Sequence, residues 1–268
     1  MFARKLLYPL ALAPLALAAC SDSPTGSGSG ASDVALRFGV VGAPGASASS
    51  GALFQTAAGQ LVVTGANGTL TFDGIRVIVE EFELKGDDDV NPCERNGGVD
   101  DCEDFDAGPF FVDLPLSSAP ISVSTGAVPP GTYREVEFEV EDLDDDEENP
   151  AEAARIAQLF QQIRAQFPDW PRDASMLVTG TFTPTGGQPR PFRVFIEAEI
   201  EVEVDLNPPL VVTEGSTQDV SILLDPAALF RQGGNVVDLS AQNGRLLRME
   251  LEVENGFSGR SGSNSGRG

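Results

Sequence analysis

From Phe192 to Leu206 apolar residues recur at every second position. Phe192, Val194, Ile196, Ala198, Ile200, Val202, Val204 and Leu206 share one parity, while Glu197, Glu199, Glu201, Glu203 and Asp205 share the other. Side chains of an extended chain point alternately to opposite faces, so this period excludes a helix and requires a long strand with one buried face and one acidic, solvated face. Residues 133–141 repeat the pattern, with Val136, Phe138 and Val140 set against Glu135, Glu137, Glu139 and Glu141, and residues 249–254 do so again. From Ile75 the alternation runs through Val77 and Val79, then resumes out of phase at Phe82 and Leu84. That slip across Glu80-Glu81 predicts a β-bulge or a strand crossing from one sheet to another. Further strands are expected at 34–41, 60–64, 110–114, 121–124, 176–183, 210–213, 220–224 and 245–253. Turns are expected at Asn67-Gly68, Pro130-Gly131, Gly186-Gly187, Pro208-Pro209 and Asn243-Gly244. About ten antiparallel strands, each apolar on one side, predict a mainly β chain folded as a β-sandwich.

One helix interrupts the strands. Asn149 can cap it, Pro150 suits the first helical position, and Glu152 stands three residues after the cap. Ile156, Leu159, Phe160, Ile163 and Phe167 follow at helical spacing and Pro168 stops the pattern, so a helix is expected over 150–167. It should cover a face or an open end of the sandwich, with Trp170 as a plug.

The first twenty residues, MFARKLLYPLALAPLALAAC, carry a positive start at Arg4 and Lys5 and a short apolar run, and end in Leu17-Ala18-Ala19-Cys20. The run is too short to cross about 30 Å of hydrocarbon as a helix. The segment resembles the signal and lipobox of bacterial lipoproteins. That resemblance implies removal of residues 1–19, acylation of Cys20 and attachment to a lipid bilayer. Ser21 after the Cys implies the outer membrane, with the domain facing the periplasm or the cell surface. Residues 20–33 read as a flexible tether, 34–255 as the sandwich domain, and 256–268, rich in Gly and Ser, as a disordered tail.

The stretch Ala127-Val128-Pro129-Pro130-Gly131-Thr132-Tyr133, leading into the next strand, resembles the Pro-Gly-x-Tyr segment of prealbumin-like (transthyretin-like) β-sandwich modules. Residues 70–79, LTFDGIRVIV, and 110–114, FFVDL, stand in an order similar to an uncharacterised family of exported bacterial lipoproteins with carbohydrate-binding-like sandwiches. Residues 224–230 and 234–238 are similar to a closing segment of related lipoproteins. What these resemblances imply is adhesion, binding or support at the cell envelope.

Chemistry is bounded by what the chain lacks. It contains no His, which excludes histidine triads and histidine-ligated zinc. Asp and Glu total 41 against 17 Lys and Arg, a formal charge of −24 that becomes −26 once Arg4 and Lys5 leave with the signal, so nucleic acid is not expected as a partner. No nucleophile motif, phosphate-cradling loop or dinucleotide fingerprint occurs, and the expectation is a non-catalytic protein. A carboxylate-dependent glycoside hydrolase is the enzymatic alternative, because that chemistry needs only two acids. Cys93 and Cys102, around Gly97-Gly98 in an exported chain, are expected to form a disulfide. Near them Asp87, Asp89, Asp100, Asp101 and Asp104 could hold Ca²⁺ through oxygen alone. The spacing of Asp87, Asp89 and Asn91 starts like a calcium loop, but Pro92 and Gly98 occupy positions where an EF-hand needs Gly and Glu. The competing explanation is a solvated connection, and for the striped strands a solvent face that also protects sheet edges. Trp170 and Tyr133 are the candidate binding aromatics of an envelope protein or glycan site; a purely structural envelope protein needs neither.

Overall fold

The structure is a computed structural model that describes residues 32–41, 61–86, 105–116, 120–143, 149–250 and 257–263. Its strands are β1 (Ser32–Val40), β2 (Leu61–Gly65), β3 (Gly68–Val79), β4 (Phe82–Gly86), β5 (Phe105–Ala107), β6 (Phe110–Asp113), β7 (Ile121–Val128) and β8 (Gly131–Val140). After the helix α1 (Pro150–Gln166) come β9 (Met176–Pro184), β10 (Arg190–Val212), β11 (Thr217–Leu224) and the short helix α2 (Pro226–Phe230). The chain closes with β12 (Arg231–Gln232), β13 (Asn235–Val236), β14 (Leu246–Glu250) and β15 (Phe257–Ser263).

Two main sheets share one core. The smaller runs β15-β11-β1-β7; the larger runs β2-β3-β9-β10-β8-β4-β5, with β14 added to β10 and β6 to β3. At about 3.3 Å per residue the 23 residues of β10 would extend roughly 75 Å if straight, far beyond a domain of this size, so the strand must bend. It does so by changing partner: residues 190–196 pair with β9 and residues 200–212 with β8. The larger sheet therefore curls into a half-barrel. The phase slip at Glu80-Glu81 is where the chain crosses that curl. The Glu80 N–H donates to the Glu139 carbonyl at 2.9 Å, and the Glu139 N–H donates to the Glu81 carbonyl at 3.0 Å. β3 thus ends beside β8, and β4 continues as the next partner of β8.

The core forms where the alternating apolar parities of the two sheets meet. Phe38 of β1 packs edge-on against Phe138 of β8 at 5.9 Å, and Phe72, Phe192 and Phe230 form a second aromatic contact set from β3, β10 and α2. A separate apolar layer lies on the outer side of the larger sheet. There Ile78, Leu177 and Phe195, all in the parity that should face solvent, are covered by Ile156 and Ile163 of α1 and by Trp170. The helix starts as its sequence signals require, since the Asn149 side chain accepts from the Ala151 N–H at 3.0 Å and Pro150 follows.

Several expectations need correction. Not all pairing is antiparallel: β1 pairs β11 and β10 pairs β14 in parallel. Pro208-Pro209 makes no turn. It sits within β10, where the register shifts from Asp205 opposite Glu135 to Leu210 opposite Tyr133; the four residues 206–209 of β10 thus stand against Arg134 alone on β8, and the irregularity absorbs the prolines. The segment read as a disordered tail from residue 256 contains β15, paired in register with β11 from Leu224 opposite Phe257 to Gln218 opposite Ser263. A ladder is built from backbone groups, so a segment with little apolar character can still complete an edge.

Candidate functional site

The outer face of β4, β8 and β10 concentrates charge of one sign. Because Phe82 and Leu84, Val136 and Phe138, and Ile200 and Val202 point into the core, the residues between them point outward together. Registration does the rest. Glu201 stands opposite Glu139, Glu203 opposite Glu137 and Asp205 opposite Glu135, while on the other side of β8 Glu83 stands opposite Glu137 and Lys85 opposite Glu135. Seven carboxylates and Lys85 thus form three adjacent rows. Directly opposed like charges destabilise a sheet, here in three consecutive pairs between β8 and β10.

Lys85 partly offsets that repulsion. Its ammonium contacts Glu137 directly and lies 3.5 Å from Glu83, and the Glu137 side chain is only 15% exposed. The Glu137 hydrogen bond, with the two glutamate charges, holds Lys85 well above the ordinary lysine range. Glu135 and Glu139 are shifted toward the protonated form. Burial, then repulsion from Glu203, pushes Glu135 up; burial, then repulsion from Glu201, pushes Glu139 up.

At its β3 end the acidic face runs into a cleft of about 440 Å³ between the β3–β4 junction and the start of α1. Its lining includes Glu80, Glu81, Glu139, Glu152 and Arg155. Arg155 is held across it, donating to the Gly108 carbonyl and to Glu152, each at 3.2 Å. Gly108 must be glycine here: its φ is +152°, and a Cβ would fall 2.2 Å from the Glu80 carbonyl oxygen. Oxygens of Glu80, Glu139 and Glu141 come within 4.8 Å of one another, as do those of Glu135, Glu137 and Glu203, and those of Glu137, Glu139 and Glu201. Such all-oxygen groups suit hard cations or cationic side chains.

The residues singled out from the sequence fare differently. Cys20, Cys93, Cys102, Asp87, Asp89, Asp100, Asp101 and Asp104 lie outside the described residues. Trp170 and Tyr133, expected as binding aromatics, are both buried and present no ring to a ligand at the surface. Trp170 is fully buried between Phe111, Phe167 and Phe195, with its indole N–H donating to the Ala174 carbonyl at 2.9 Å. Tyr133 is buried with its hydroxyl donating to the Pro129 carbonyl at 2.9 Å. Among the described residues the large exposed apolar side chains are Ile121 and Val211, neither aromatic. Sequence reasoning passed over the cleft residues Glu80 and Glu152, although the phase slip at Glu80-Glu81 and the helix start at Asn149 marked both walls.

No protein family matches the chain, and no curated protein matches it. Among solved structures it is similar to MbnP from Methylosinus trichosporium, at 17% sequence identity over 79% of this chain and 80% of that one, with a TM-score of 0.35.

Proposed function

We propose that this protein is an exported, lipid-anchored and non-catalytic binding module of the cell envelope, whose acidic β4-β8-β10 face engages a cationic surface of an envelope partner. Anchoring through Cys20 at the outer membrane and a prealbumin-like arrangement of the sheets belong to this reading. The observation that supports it most is the run of three opposed like-charge pairs. Such pairs cost stability in an isolated domain, and a cationic partner relieves that cost on docking. Calcium is the simplest cation that could support the same surface, through oxygen ligands alone. The buried positions of Trp170 and Tyr133 turn the reading away from a glycan stacked on aromatic rings.

The test is to titrate the lipid-free protein with Ca²⁺ and, separately, with a lysine-rich peptide, following heat and melting temperature at about 0.15 M salt. Binding is expected to raise the melting temperature, because a ligand that prefers the folded state stabilises it. Replacing Glu137, Glu139 and Glu201 with Gln should abolish the effect. If the triple variant binds as the parent does, the face is a solvated surface and the module acts elsewhere; if neither probe binds the parent, the structural-protein reading replaces this one.

A further inference from the structure

The smaller sheet has an edge closed by a strand unlike all its neighbours. β11 offers Val220, Ile222 and Leu224 to the core and pairs in parallel with β1 along its inner side. Its outer side is covered by β15, FSGRSGS, with two Gly, three Ser and one Arg in seven residues and no apolar alternation. Seven successive positions pair without a register shift, from Gln218 opposite Ser263 to Leu224 opposite Phe257. The covering strand is thus selected by its backbone. Gly-rich strands with no apolar parity specify register and partner weakly, and they are where strand exchange between chains occurs.

Topology isolates the same strand. β14 belongs to the larger sheet, paired in parallel with β10, and the six residues 251–256 separate Glu250 from Phe257 on the smaller one. β15 is therefore the last described strand, and its removal would leave every other strand pair of both sheets in place. Its departure exposes the outer edge of β11, a row of backbone donors and acceptors that must be paired again, together with the part of β10 it lies against.

We propose that this edge is a strand-acceptor site and that its alternative occupant is β15 of a second copy of the chain, giving an exchanged dimer in which each protomer completes the partner's β15-β11-β1-β7 sheet. The second copy is the occupant because it presents a segment already matched to the edge in length and direction, so exchange remakes the same ladder with no new contact required.

Two differently tagged preparations of the full chain would be mixed at high protein concentration and separated by size with light scattering. The same mixture would be repeated with an excess of a synthetic peptide spanning residues 256–264. Expected is a slowly formed mixed dimer that survives dilution and is lost when peptide is present, together with capture of labelled peptide by the protein. A mixed dimer that forms equally well with peptide overturns the proposal, because its interface then lies elsewhere. A monomer at every concentration that also fails to capture peptide overturns it as well. A peptide carrying Ser258→Pro and Gly259→Pro removes ladder donors of both parities and should neither bind nor compete; if it competes as well as the parent peptide, recognition does not run through the ladder.

Discussion

At the scale of single residues, the two buried aromatics and the outward glutamates obey different physics. Trp170 fills the space between α1 and the outer side of β3, β9 and β10, and its one polar atom is satisfied by Ala174. Trp170→Ala should cost about 3–5 kcal/mol in denaturant unfolding, while Trp170→Phe, which keeps most of the volume and loses the hydrogen bond, should cost clearly less. Glu139 is held above its ordinary proton affinity by burial and by Glu201. The folded chain therefore binds this proton more tightly than the unfolded chain. Its favourable contribution is full below the ordinary carboxylate range and is lost as pH rises through the raised value. Glu139→Gln should consequently raise stability by about 0.2–1 kcal/mol near neutral pH, through the opposed pair it dissolves. That gain should shrink as pH falls through the carboxylate range. Melting temperatures of parent and variant across pH check the sign, and a gain that grows on acidification would contradict it.

At the scale of elements, α1 and the strands beneath it show how far local pattern reaches. The cap, the proline and the apolar stripe of α1 are all readable in the chain, and the helix forms where they say. What it covers was also written there. Val77-Ile78-Val79, Met176-Leu177-Val178 and Val194-Phe195-Ile196 are consecutive apolar triplets inside otherwise alternating strands, and the middle residue of each faces the helix. An off-parity apolar residue signals a sheet buried on both faces. Asn149→Ala should lower stability by only about 1 kcal/mol, the value of one cap. Ile163→Ala should cost about 2–5 kcal/mol because Ile163 is fully buried. The two variants, compared by chemical denaturation, separate helix initiation from helix docking.

At the scale of the whole molecule, a formal charge of −24 acts on a curled sheet that gathers acids onto one outer face. Raising salt from low ionic strength to about 0.5 M should raise the melting temperature, because the Debye length then falls to about 4 Å, below the roughly 7 Å between rows, and the repulsion between rows is screened. The Glu137, Glu139 and Glu201 to Gln triple variant should show a flatter salt response. While the short helix α2, capped by Asp225, went unread, the sequence by itself determined the strand parities, the capped helix α1, the acidic character of the outward positions and the break at Glu80-Glu81. Each of these depends on residues close together in the chain, where side-chain periodicity and capping chemistry act directly. Only the tertiary structure decided that β10 passes from β9 to β8 and also carries β14, that β1 and β11 run parallel, that β15 pairs at all, and that Glu139 faces Glu201 while Lys85 lies against Glu137. Those outcomes are registrations between segments up to about 180 residues apart, chosen by the joint burial of two sheets and by the need to pair every edge, and no local pattern encodes them.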